Sequence, residues 1–195
     1  SYVHKLLSGR REEFSKLRQF GGIAGFPKPG ESEHDAFIAG HASNSVAVAY
    51  GMAMAREALG EDYKVIALIG DGALSGGLAY EGLNDAGESG EPIVVVLNDN
   101  GMSISRNVGA VARHLSRMRL QPAYFGLKKA YRQFTEKIPG GRKLYAISHR
   151  VKTWMRRKLI GMTIFEEMGF QYLGPVDGHD TRQIEFLLRQ AKEMR

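Results

Sequence analysis

None of the 195 residues is cysteine, so disulfides, a thiolate nucleophile and a zinc–cysteine centre are excluded. No apolar run approaches the ~20 residues of a membrane-spanning helix. No signal-peptide pattern, internal repeat or low-complexity tract is present either. A reducing cytoplasm is the plain expectation for such a chain. Acidic side chains are scarce in one place only. From Asn100 to Phe165 there are fifteen Lys and Arg against a single acid, Glu136, a balance of +14. The remainder carries twelve basic residues against twenty acids, −8, and the two sum to the net charge of +6. Such a block can draw anions toward itself, bind nucleic acid, or form a solvated face, and the last suffices for most of these residues.

Hydrophobic residues make up 43% and charged residues 25% of the chain. That balance suits one α/β domain with a sizeable core, or a large fragment of a bigger protein. The stretch from Gly70 to Met102 organises the rest. Val65–Ile69 and Ile93–Leu97 are short β-branched runs bounded by turn residues, which predicts strands buried on both faces. Leu78, Ala79, Gly82, Leu83 and Ala86 recur at helical spacing between them, which predicts a crossover helix over 76–88. Strand, helix, strand with connections this short is a parallel unit.

The unit has a chemical consequence. Gly70-Asp71-Gly72 ends the first strand and Asn98-Asp99-Asn100 ends the second, so both open onto one sheet edge, where open α/β sheets bind ligands. Glycines beside Asp71 let the backbone approach a phosphate closely. The Asp71 carboxylate, the Asn100 amide oxygen and a backbone carbonyl just past Asn100 are hard oxygen donors. They suit Mg2+ bridging a diphosphate better than zinc or copper.

Elsewhere, residues 1–20 read as short helices and 21–33 as a Gly/Pro-rich loop. Ser43 or Asn44 is a candidate N-cap for a helix over 46–59 rich in small residues and closed by Gly60. His41, just before that helix, is either a turn residue or a group aimed at a bound anion. Ala110 to Leu120 is helix-like, and residues 103–160 as a whole read as a basic, mobile helical insert broken by Pro122, Pro139 and Gly140-Gly141. Thr163–Met168 predicts a short helix closed by Gly169, and Phe170–Leu173 a third strand. A turn-rich loop follows, and Asp180 or Thr181 caps an amphipathic final helix.

Gly70-Asp71-Gly72 followed by Asn98-Asp99-Asn100 resembles the signature of enzymes that bind thiamine diphosphate through Mg2+. Several further runs resemble the 1-deoxy-D-xylulose-5-phosphate synthase family in particular. These are Tyr2–Leu7 (YVHKLL), Gly40–Ser43 (GHAS) with Gly51–Ala53, Ser103–Gly109 (SISRNVG), Phe165–Phe170 (FEEMGF) and, most specifically, Tyr172–Asp180 (YLGPVDGHD). The resemblance covers nearly the whole chain. It implies an α/β fold with a mostly parallel sheet and helices on both faces, as one partial diphosphate-binding domain over 1–195. It also implies condensation of pyruvate with D-glyceraldehyde 3-phosphate, releasing carbon dioxide, for isoprenoid, thiamine and pyridoxal synthesis.

Carried over by position, Asp71, Asn100 and the Met102 carbonyl would hold Mg2+. Gly40, His41, Ala42, Gly72, Ala73, Asn100 and Tyr172 would contact thiamine diphosphate. His179 would stand near the substrate, with His41 and His179 as hydrogen-bond or proton-transfer partners. Alternatively, His179 only braces its own loop through Asp177 or Asp180. The family implies a homodimer and a second, pyrimidine-binding domain that supplies a glutamate. Nothing in this chain looks like that domain, and both ends read as cut, so the chain alone is expected to be inactive. Two rivals differ in class. One is a subunit of a split transketolase-like pair; the other is a basic nucleic-acid-binding module, disfavoured because no groove-reading motif accompanies the basic block.

Overall fold

The computed structural model describes residues 1–100 and 163–194. The expected insert over 103–160, the helix-like stretch 110–120 and Met102 lie outside the described residues. Helix α1 (Tyr2–Leu7) and a 3-10 turn (Glu12–Lys16) open the chain. Helix α2 (Ser45–Leu59) follows the loop region and leads to strand β1 (Val65–Gly70). A 3-10 turn (Ala73–Ser75) and helix α3 (Gly77–Ser89) then cross over to strand β2 (Ile93–Asn98). Helices α4 (Ile164–Glu167) and α5 (Thr181–Glu193) follow in the second described stretch.

The α/β fold class is as expected. β1 and β2 pair in parallel, in register from Val65 opposite Ile93 to Gly70 opposite Asn98. The core is one apolar cluster: Val46, Ala49 and Ala53 of α2, Val65, Ala67 and Ile69 of β1, and Leu74, Ala79 and Leu83 around α3. Small residues let α2 and α3 approach closely. A Cβ on Gly82 would lie 2.7 Å from the Ala47 nitrogen, so the absence of a side chain at 82 sets the spacing of the two helices.

Three expectations need correction. β1 is buried on one face only: Ile66 is 56% and Leu68 66% exposed among the described residues, because α2 and α3 cover the face that carries Val65, Ala67 and Ile69. Leu78 likewise points away from the core, since the buried stripe of α3 runs through Ala79, Gly82, Leu83 and Ala86. Phe170–Leu173 forms no strand. Its side chains are used for packing instead: Phe170 rests against the core with Phe165 and Met168, and Tyr172 stacks on Phe165 at 6.2 Å. Asn44, one of the two expected positions, is the N-cap of α2, though it makes no side-chain cap bond, and the Ser43 hydroxyl is committed elsewhere.

The remaining local signals hold. Gly60 ends α2 in the left-handed conformation, at φ 65°. Thr163 and Glu166 form a reciprocal capping box at α4, and Gly169 closes that helix at φ 93°. The Asp180 carboxylate accepts from the Gln183 backbone N–H at 3.1 Å and caps α5. That bond and a second from the Gln183 side chain hold the Asp180 carboxyl below its ordinary range, the side-chain bond having the larger effect.

Candidate metal and diphosphate site

The parallel register brings the two acid- and amide-bearing triplets together. Gly70 faces Asn98 as the last pair of the ladder, and the Asp71 N–H donates to the Asn98 carbonyl at 3.1 Å. Asp71 and the Asp99-Asn100 pair therefore leave the sheet at the same carboxyl edge. Asp71 is 6% exposed, held at the end of β1, while Asn100 is exposed at the rim. Among the described residues, nothing lies within 4 Å of a Cβ built on Gly70. A set of oxygen donors, the Asp71 carboxylate and the Asn100 amide, suits a hard divalent cation. Gly72 begins the 3-10 turn, Ala73 is half-buried within it, and the amino end of α3 follows at Gly77 on the same edge.

The His41 turn reaches this edge by a different route. Gly40, His41 and Ala42 are exposed. Behind them, Ser43 takes φ 73° and its hydroxyl donates to the Ala73 carbonyl at 2.6 Å. The turn is therefore tied to the loop that follows Asp71. On its other side, the Phe26 ring lies under Gly40, where a Cβ would stand 3.5 Å from the ring, and the Ala39 N–H donates to the Pro27 carbonyl at 3.2 Å.

Two more of the expected site residues, Tyr172 and His179, belong to the second described stretch. Tyr172 belongs to the segment that packs at the far end of α3, where a Cβ on Gly87 would meet the Met168 carbonyl at 1.7 Å. Asp71 stands by the opposite, amino end of that helix. The His179 imidazole is 100% exposed, and its ring nitrogen lies 3.4 Å from Asp177, which also accepts the His179 backbone N–H at 2.9 Å. The bracing alternative for His179 matches that arrangement. Met102 lies outside the described residues.

A second polar cluster was not anticipated. Arg10 makes a two-pronged bond to the Asp35 carboxylate, at 2.7 and 2.8 Å, and Lys5 binds Glu31 at 2.6 Å. Lys5, Arg10 and Asp35 are buried. His4 adds a third contact to Asp35 at 2.7 Å, the Lys28 N–H donates to Asp35 at 2.7 Å, and the Ala24 N–H to Glu31 at 2.8 Å. The Arg10 guanidinium, chiefly through its hydrogen bonds, holds the Asp35 carboxyl well below the usual carboxylate range. Lys5 does the same more mildly for Glu31. No local pattern announces these pairs, because their partners are 25 to 26 residues apart. Arg56 was missed as well, and here a signal existed. It continues the buried stripe Val46, Ala49, Ala53, and its guanidinium donates to the carbonyls of Tyr63 and Pro92 and to Glu91.

The family model described as 1-deoxy-D-xylulose-5-phosphate synthase matches residues 1–195. Curated relatives carry the same description. That of Pelotomaculum thermopropionicum is 53% identical over 192 residues, covering 98% of this chain and 30% of the relative. The Syntrophomonas wolfei protein is 48% identical over 196 residues, covering 100% and 31%. The Desulforudis audaxviator protein is 50% identical over 192 residues, covering 98% and 30%. The chain thus spans just under a third of the length of these relatives.

Proposed function

The chain belongs to the 1-deoxy-D-xylulose-5-phosphate synthase family, and we propose that it forms the Mg2+- and diphosphate-binding part of a thiamine diphosphate site. The observation that carries this reading is the shared carboxyl edge of β1 and β2, at which Asp71 and Asn100 both emerge. Asp71 and Asn100, with the Met102 carbonyl, would hold Mg2+. Gly72 and Ala73 would lie against the diphosphate, where backbone N–H groups and the amino end of α3 favour negative charge. Gly40, His41 and Ala42 would close the other side, with His41 as the hydrogen-bond or proton-transfer partner. When bound, the cofactor would supply the carbanion chemistry that decarboxylates pyruvate and joins the two-carbon remainder to D-glyceraldehyde 3-phosphate. The basic block following Asn100 favours the approach of such anions electrostatically.

Tyr172 and His179 are assigned to the cofactor and substrate on the strength of the resemblance alone. The family likewise supports a homodimer and a glutamate from a pyrimidine-binding domain in cis or on a separate chain. The deciding experiment is a thermal-shift titration of the chain with thiamine diphosphate and Mg2+, beside Asp71→Ala. The expected result is a rise in melting temperature that needs both ligands and is lost in the variant. A ligand excess of about 100 times Kd stabilises by about 2.7 kcal/mol, which is ample to detect. An equal shift in Asp71→Ala, or none in wild type, defeats the proposal.

A further inference from the structure

We propose that Ser43 is a positioning residue, a clasp that fixes the His41 turn against the loop following Asp71. The inference rests on the site proposed above and adds a residue that the resemblance did not assign to it.

Three observations converge on this side chain. Ser43 adopts φ 73°, a left-handed conformation that an L side chain takes only at a cost. A strained residue of this kind persists where its surroundings over-determine it. Its hydroxyl donates at 2.6 Å to the carbonyl of Ala73, thirty residues away in the chain. That same carbonyl accepts the Gly76 N–H at 3.3 Å, so one oxygen joins the His41 turn, the 3-10 turn and the start of α3. Finally, the seat is made for Ser43 from below. A Cβ on Gly76 would stand 2.1 Å from the Ser43 oxygen, a distance that no side chain at 76 could accept without expelling it.

The geometry explains why a turn residue and a strand-end loop can act as one site. His41 precedes α2, whereas Gly72 and Ala73 follow β1, and the ladder that aligns Asp71 with Asn98 does not include the His41 turn. Without a tie, the exposed His41 turn would have to be ordered by the ligand against the half-buried loop after Asp71, which weakens binding by the cost of that ordering. The Ser43–Ala73 bond orders them beforehand. Its loss should therefore lower affinity more than it lowers stability.

Ser43→Ala, Ser43→Gly and Gly76→Ala test the clasp from both sides. Ser43→Gly also relieves the left-handed strain, so its melting temperature should stay near wild type although the bond is gone. Hydrogen exchange of the unliganded chain reads the clasp without any ligand. We expect amides of residues 41–45 and 73–76 to exchange about tenfold faster in all three variants, with the middles of α2 and α3 unchanged. A titration with thiamine diphosphate and Mg2+ should show roughly tenfold weaker binding in the same variants. Unaltered exchange in the two loops overturns the inference, and so does faster exchange with unaltered affinity. Failure of wild type to bind would instead sink the proposed function, and the clasp then stands or falls on the exchange data.

Discussion

Residues 1–39 and residues 45–98 are stabilised by different means. The second region is a βαβ unit whose core cluster is apolar, with Val46, Ala53, Ile69, Leu74 and Leu83 among the most buried side chains and Arg56 and Asp71 buried at its margins. The first has little regular structure, and its most buried side chain is a lysine. There, two ion pairs do the work of a core: Arg10–Asp35 and Lys5–Glu31 fasten α1 and the turn after it onto the loop over 24–35. Apolar burial is non-directional and tolerates exchange among residues of similar volume. A buried ion pair tolerates almost none, because removing one partner leaves the other charge desolvated. The region that carries Gly40 and His41 to the site is therefore the more brittle of the two.

Asp35→Ala should break that comparison most visibly. It takes from Arg10 its two-pronged partner, leaving Glu31 at 3.7 Å as its nearest countercharge among the described residues, and removes the acceptor of the Lys28 N–H and the partner of His4. Removing one partner of a buried pair costs about 3 to 5 kcal/mol. We expect the lower figure, about 3 kcal/mol, because the 44% exposure of His4 lets water reach the edge of the cluster. The loss should be confined: amides of residues 5–39 should lose roughly a hundredfold protection while those of α2, β1 and α3 keep theirs. Uniform loss across both regions would mean that they fold as one unit and that the contrast drawn here is false.

The apolar region can be probed by two glycines whose surroundings differ. Alanine in place of a helical glycine ordinarily stabilises by up to about 1 kcal/mol. At Gly51 nothing among the described residues lies within 4 Å of the added Cβ, so Gly51→Ala should stabilise by about 0.5 to 1 kcal/mol. At Gly82 the Cβ would meet Ala47 backbone, which cannot rotate away, and overpacking of this kind costs about 1 to 3 kcal/mol. The net for Gly82→Ala should be a loss of about 1 to 2 kcal/mol, read by denaturant unfolding. Two variants of the same chemistry with opposite signs would confirm that helix approach, and not propensity, fixes the role of Gly82.

The same contrast governs what could be read from residues alone. The βαβ unit was legible because its signals are local: β-branched runs, helical spacing, and Gly60 as the stop of α2. The common edge of Asp71 and Asn100 followed from parallel pairing. What escaped notice depends on long-range partners. The Ser43 hydroxyl could have been a helix cap, and only the fold shows that it reaches Ala73. Arg10 and Asp35 look like solvated charges in a sequence and become a buried pair only when the loop folds back. The third strand failed for a related reason. Apolar residues at 170–173 signal burial but not the partner, and here the packing is ring on ring.

Acid titration separates the regions with the smallest effect and opposite signs. Asp35 and Glu31 have folded-state pKa values depressed below their unfolded ones. Their contribution is complete above the unfolded values, near pH 4 to 4.5, and is lost as pH falls toward the folded values. Glu57, at the end of α2, is raised above its ordinary value, first by a hydrogen bond to Glu91 and then by the repulsion between the two carboxylates. A raised carboxyl binds its proton more tightly in the folded state, so the end of α2 gains stability as pH falls toward 4.5. Amide NMR spectra recorded from pH 6.5 down to 3 should therefore first show the Glu57 region settle, then resonances of residues 4–35 broaden below about pH 4. Broadening that begins around Glu57 instead would place the acid-sensitive contacts in the apolar region, contrary to the division of labour argued from Lys5, Arg10 and Asp35.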